Sequence, residues 1–318
     1  MKLPKLIATS VVRGSEKGQS HGGVFLIDFQ ETSTSQCLDW NDGTIDFTGR
    51  GWDRGLRGIE FFDEKIWIAA SDEIFCYNPK FELLGSYKNE YLKHCHEISR
   101  KDHLLFLTST GYESLLVFNL KTNKFIWGLY ISKNGDQWVG QRFDPMISGG
   151  PPFINNYHIN MVSVNESGVY ISGLNTKALL RLKSDMSISI VCSLPQGIHN
   201  AQLFGDGVIF NDTQSDVVRV VSSSGTSKVF QVPSYKEDLI EYNNVDDSKI
   251  ARQAFGRGLC IISPTLIAAG SSPSTISLFD LEKDERVATV NLTMDVRNAI
   301  HGLEVWPNLK TVDCVCLL

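Results

Sequence analysis

The sequence predicts an all-β protein: a six-bladed β-propeller of four-stranded blades, its ring closed by N- and C-terminal strands that share one blade. Three observations predict it. Short runs rich in Val, Ile, Leu and Phe alternate with Gly, Ser, Asn and Asp, with no long helical periodicity. The stretch Ile198-His199-Asn200-Ala201-Gln202-Leu203-Phe204 recurs in altered form five more times. Each copy is followed by further apolar runs at the ~40-residue spacing usual for blades.

The six copies read as inner strands. They are centred on Arg57, His96, His158, His199, Arg257 and His301. Second strands are apolar and end in small residues, at 6–10, 66–71, 105–110, 169–173, 208–212 and 266–270. The small residues suit close packing of sheet on sheet. Third strands follow at 24–28, 74–78, 115–119, 179–182, 217–221 and 276–280. Several end in Asp or Asn, which favour the turn that follows. A fourth, less regular strand closes each unit, as at 125–129 and 286–290. The inner strand around His301 has no partners after it, and the chain start supplies strands two to four of a blade without a first. One blade is therefore built from both ends, and residues 5–12 read as a strand rather than a secretory signal, whose basic start Pro4 would interrupt.

Composition bounds the function. The 318 residues are 42% hydrophobic and 21% charged, ordinary for a globular chain, and the repeat places 1–318 in one domain. A formal net charge of −6 without a basic run argues against nucleic acid. Nothing approaches the length of a membrane span. Seven Cys without regular spacing or a C-x-x-C pair do not make a disulfide framework, so a reduced, cytoplasmic setting is expected. Cys314 and Cys316 form a lone C-x-C in the tail.

Three segments, near 41–55, 132–156 and 233–255, exceed the plain blade spacing. Each joins a fourth strand to the next inner strand, so all three lie on one face of the ring. They contain Trp52, Trp138, Arg142, Phe143 and Tyr242, which suits a lid over a site.

Inner strands line the propeller axis, and four of the seven histidines share one position in them. His96, His158, His199 and His301 are therefore the expected ligands of one divalent metal ion, iron(II) first, with zinc or copper next. Arg57 and Arg257 are expected to fix an anionic small-molecule substrate and to act as catalytic groups. Glu60, Glu97 and Glu304 either pair with these arginines or orient the imidazoles. Asn160 and Asn200, with Trp138 and Arg142 from the lid, complete the expected substrate contacts.

With its blades laid out, the chain resembles six-bladed propellers of the NHL, SMP-30 and strictosidine-synthase-like type in architecture and blade pattern over nearly its whole length, and 105–119 and 255–270 look like stretches of bacterial propeller proteins. Its axial histidines are similar in number to those of carotenoid-cleaving oxygenases, which hold iron(II) with four histidines. The blade count and the arginines are closer to peptidyl-hydroxyglycine lyases, which hold zinc beside a catalytic arginine. The site resemblance implies a metal-dependent enzyme: oxidative with iron or copper, a lyase or hydrolase with zinc. The rival class is a non-catalytic scaffold whose face grips a peptide or protein.

Overall fold

A computed structural model of the chain describes residues 3–41, 55–243, 252–307 and 309. Trp52, Cys314 and Cys316 lie outside the described residues, as does most of the first long segment. The fold is the six-bladed β-propeller the sequence predicts. Among the described residues there is no α-helix, and no helix long and apolar enough to cross a membrane.

Blade one joins the two ends of the chain: Asn298–Val305 is its inner strand, paired antiparallel with Lys5–Val12, then Gly23–Asp28 and Ser33–Asp39. Blade two runs Ile59–Phe62, Lys65–Ala69, Glu73–Tyr77 and Leu83–Lys88. The inner strands of blades three to six are Ile98–Lys101, Ile159–Asn165, Ile198–Phe204 and Leu259–Ser263. The second and third strands fall where the apolar runs place them.

Position in the blade decides burial. The second strand Leu266–Ser271 is buried throughout, whereas the outer strand Leu83–Lys88 is largely exposed. The core is therefore not one mass but a series of clusters between adjacent blades. Trp67, Ile74, Leu105, Leu107 and Phe118 fill the space between blades two and three. Leu6, Ala8, Cys260, Leu278 and Ile300 do the same between blades six and one.

The Asp and Asn residues closing the third strands act as turn formers. Asp28 Oδ1 accepts the N–H groups of Gln30 and Glu31, and Asn119 Oδ1 those of Lys121 and Thr122. Asn78 and Asp280 repeat the arrangement.

The second long segment, expected as a lid, divides in two. After Lys124–Asn134 the chain turns back as Gln137–Phe143 and adds a fifth strand to the rim of blade three. Trp138 and Arg142 sit on that strand, four strands out from the inner one, about 19 Å at ordinary strand spacing. Trp138 packs on Tyr157 and Arg142 lies over Trp127, so the structure places both at the rim of blade three rather than beside the inner strands. The remainder, 144–156, does cross the face toward the axis. Tyr91 Oη donates to Ile147 O and accepts from Gly150 N, and Ile154 N donates to Gly111 O.

Candidate axial site

The six axial positions are not one register of regular strand. Arg57, His96, His158 and Arg257 precede their inner strands, while His199 and His301 lie inside theirs. Pairing shifts between Ile159 and Met161, between His199 and Gln202, and opposite His301-Gly302. These are β-bulges, and a bulge re-aims side chains. His158 and Asn200, beside two of them, have φ of +54°. In blade one the residue after His301 must be glycine, because a Cβ there would stand 2.3 Å from Arg57 O.

The second strands and the residues just past their ends supply polar anchors, a role that a reading of their small residues as packing residues misses. Thr9 Oγ1 donates to Arg57 O at 2.6 Å and accepts from Gly302 N at 2.8 Å. Thr110 Oγ1 donates to Ile159 O at 2.5 Å, and Thr213 Oγ1 donates to Gly256 O at 3.2 Å. Each hydroxyl ties one blade to the inner segment of the next. Glu113 does more: its carboxylate accepts Tyr157 N at 2.5 Å, His158 N at 3.3 Å and Ile159 N at 3.4 Å.

These anchors fix the imidazole tautomers. His96 Nδ1 lies 2.7 Å from His94 O, an acceptor only, so Nδ1 carries the proton. His301 Nδ1 faces Ala299 O at 3.2 Å with the same consequence. His199 Nδ1 lies 2.8 Å from Thr213 Oγ1, whose own proton goes to Gly256, so here too the ring donates. All three Nε2 atoms are then lone-pair acceptors. That of His301 accepts from Arg257 Nη1 at 2.5 Å. At Nδ1, carbonyls and hydroxyls orient these rings.

His96, Glu97, Asn160, His199, Asn200, Arg257 and His301 line one axial cavity of about 10 Å³. His158 stands beside it, its ring 5.2 Å from that of His96. Arg57 does not line the cavity. It is fully buried and donates from Nη1 to Cys95 O at 2.9 Å, linking blades two and three. Phe255 packs 5.5 Å from His199, and three guanidiniums surround its ring: Arg257 at 4.9 Å, Arg13 at 5.0 Å and Arg252 at 5.4 Å. Arg252 also pairs with Asp216 at 2.6 Å. Burial above all, then Arg257, His158, His301 and Arg13, hold the His199 imidazole well below its ordinary proton affinity, so it is neutral at neutral pH.

The three glutamates belong to a second layer along the channel. A cavity of about 60 Å³ is lined by Glu60, Glu97 and Glu304 together with Ser99, Ser163 and Gln202. Asn200 joins the layers: Nδ2 donates to Glu97 Oε1 at 3.0 Å, while Oδ1 accepts from Gly258 N and Asn211 Nδ2. Glu60 accepts from Phe61 N and Arg100 N. Burial, then Glu60 and Glu97, push the Glu304 carboxyl well above the usual range. Burial pushes Glu97 up to about 8. Between the unfolded value near 4.5 and about 8 the native state binds a proton that the unfolded chain lacks, so this group makes stability fall as pH rises through that window. The variant Glu97→Gln is expected to match the wild type in urea midpoint at about pH 5 and to exceed it at about pH 8.5.

The donor set does not fit the expected metal. Among the described residues no three or more His, Cys, Asp or Glu side chains are arranged to hold a metal ion. Arg257 places a permanent cation on His301 Nε2, where a bound ion would need the lone pair.

No family model matches the chain, and no curated protein does. Solved structures do. The propeller of a nidogen/laminin complex aligns over 95% of this chain and 98% of its own, with TM-score 0.57 and 11% identity. The WD40 repeats of RRP9 align over 76% of this chain, at TM-score 0.48 and 12% identity, and the chain spans 65% of that structure. A catalytically inactive variant of virginiamycin B lyase from Staphylococcus aureus aligns over 74% of this chain and 72% of its own, at TM-score 0.40 and 13% identity. At these identities the likeness is one of fold.

Proposed function

We propose that the protein is an enzyme that binds a small anionic molecule at the mouth of the axial site and acts on it by acid–base chemistry. The observation that carries this is the grouping of three guanidiniums around Phe255, beside the neutral His199 whose Nε2 is a bare acceptor. Guanidiniums recognise carboxylate and phosphate. A neutral imidazole in reach of the bound anion is a general base. Arg257, hydrogen-bonded to His301, is the one of the three that lines the axial cavity, and it steadies charge that develops there.

The test has two arms. Millimolar carboxylates and phosphate monoesters are expected to raise the melting temperature of the wild type but not of Arg257→Met. A mixture of the same compounds, followed by proton NMR, is expected to lose one component with the wild type. His199→Ala should slow that loss by about 10²–10⁴-fold while keeping the anion-induced shift. A shift identical in Arg257→Met, or equal turnover in His199→Ala, would falsify the reading.

One observation favours the scaffold class. Met146, Ile147 and Phe153 are 65%, 63% and 60% exposed on the segment that crosses the face. A peptide-gripping surface uses such residues, and this reading gains if the anions neither bind nor turn over.

A further inference from the structure

Two buried acceptors on residues that line the same axial cavity have no hydrogen-bond partner among the described residues: His199 Nε2 and Asn160 Oδ1. Their orientations are determined. Asn160 Nδ2 donates to Ile198 O at 3.3 Å, so its carbonyl oxygen is the atom left toward the cavity. The His199 tautomer leaves Nε2 without a proton. The residues are 2% and 4% exposed, and an unsatisfied polar atom at such burial costs about 1–3 kcal/mol. What satisfies two acceptors at once is a molecule with two donors. A cavity of about 10 Å³ is close to the smallest that admits one water.

We infer that this cavity holds a single water between His199 Nε2 and Asn160 Oδ1, and that this water is the nucleophile of a hydrolytic reaction. The inference rests on the acid–base reading above and narrows its reaction class. A water that gives both protons to these acceptors turns its lone pairs the other way, as an attacking nucleophile requires. The fitting substrate is a small ester carrying a separate ionised group for the arginines around Phe255. The water oxygen bonds to the carbonyl carbon as one of its protons passes to His199 Nε2. Arg257, lining the same cavity, faces the negative charge that forms on the carbonyl oxygen. The bond to the alcohol oxygen then breaks, and the imidazolium returns the proton to that oxygen. The products are a carboxylic acid and an alcohol, with no change in oxidation state. His199 is the base and Asn160 positions the water.

The experiment is a crystal structure of the wild-type protein at a resolution that shows ordered waters, paired with turnover in ¹⁸O-labelled water. The substrates are the monomethyl esters of malonate, succinate and glutarate, with dimethyl succinate as the uncharged control. We expect a water within hydrogen-bond reach of both atoms, one ¹⁸O in the acid released from a half-ester, and much slower turnover of the diester. Asn160→Leu should lower kcat by about 100-fold and leave KM within about 2-fold. A cavity without that water, or with a water on one acceptor only, overturns the inference even if the variant does not fold. So does the absence of half-ester hydrolysis, or an acid product without label. Those failures leave the anion-binding reading standing if Arg257→Met still abolishes the thermal shift, whereas an unchanged shift in that variant sinks the underlying reading instead.

Discussion

Trp67→Ala is expected to lower the free energy of unfolding by about 3–5 kcal/mol, seen as a reduced urea midpoint with little change in slope. Trp67 is 1% exposed in the interface between blades two and three. Its ring stacks on Tyr87 at 5.8 Å and tilts against Phe118 at 5.6 Å, and Phe118 continues to Phe125 at 5.0 Å. The residues around it come from separate sheets whose backbones are fixed by their own ladders, so the space left by the indole cannot close by local collapse. Trp67→Phe, which keeps an aromatic face against Tyr87 and Phe118, should lose less. An equal loss in both variants would show that burial, and not the shape of the cluster, decides the effect.

Glu113→Ala is expected to cost at least about 3 kcal/mol, because it strands three consecutive N–H groups at about 1–3 kcal/mol each. Glu113 is 1% exposed, in the left-handed region with φ of +47°, directly after a turn of 3₁₀-helix. Its carboxylate closes the inner segment of blade four at Tyr157, His158 and Ile159. Glu113→Gln should recover part of the loss, since its amide oxygen can still accept Tyr157 N and His158 N while its NH₂ would face Ile159 N–H. Amide exchange at 157–159 is expected to speed up in both variants, together with loss of the fixed position of His158 beside His96. Exchange unchanged at these three positions would mean that the inner segment is held without this carboxylate.

The architecture was legible because it is written in period-two alternation and turn chemistry. The runs at 105–110 and 115–119, punctuated by Gly111 and Asn119, could hardly be anything but paired strands. Within 132–156, residues 137–143 alternate as a strand should, but nothing local says whether such a strand joins the rim or covers the axis. The axial histidines were legible as a set, and the structure brings His96, His199 and His301 to one cavity with His158 adjacent. Their chemistry was not. Bulges at Asn160, at Asn200-Ala201 and at His301-Gly302 arise from how each sheet closes on its neighbour, and they decide which atom points inward. Thr110, Thr213 and Glu113 were hidden for a related reason, since their partners lie 43 to 49 positions away in the next blade. One signal was available: threonine and glutamate at the ends of strands otherwise buried need partners there.

The pairing of Lys5–Val12 with Asn298–Val305 has a consequence for biogenesis. The bond from Gly302 N to Thr9 Oγ1 joins residues 293 positions apart, so it can form only after the chain has left the ribosome as far as residue 302. Until then the apolar strand Lys5–Val12 waits with one ladder edge open, and a second nascent copy is the nearest competitor for it. Correct assembly is thus a race between the arrival of a strand from the same chain and capture by a neighbour's, won more often when translation is sparse.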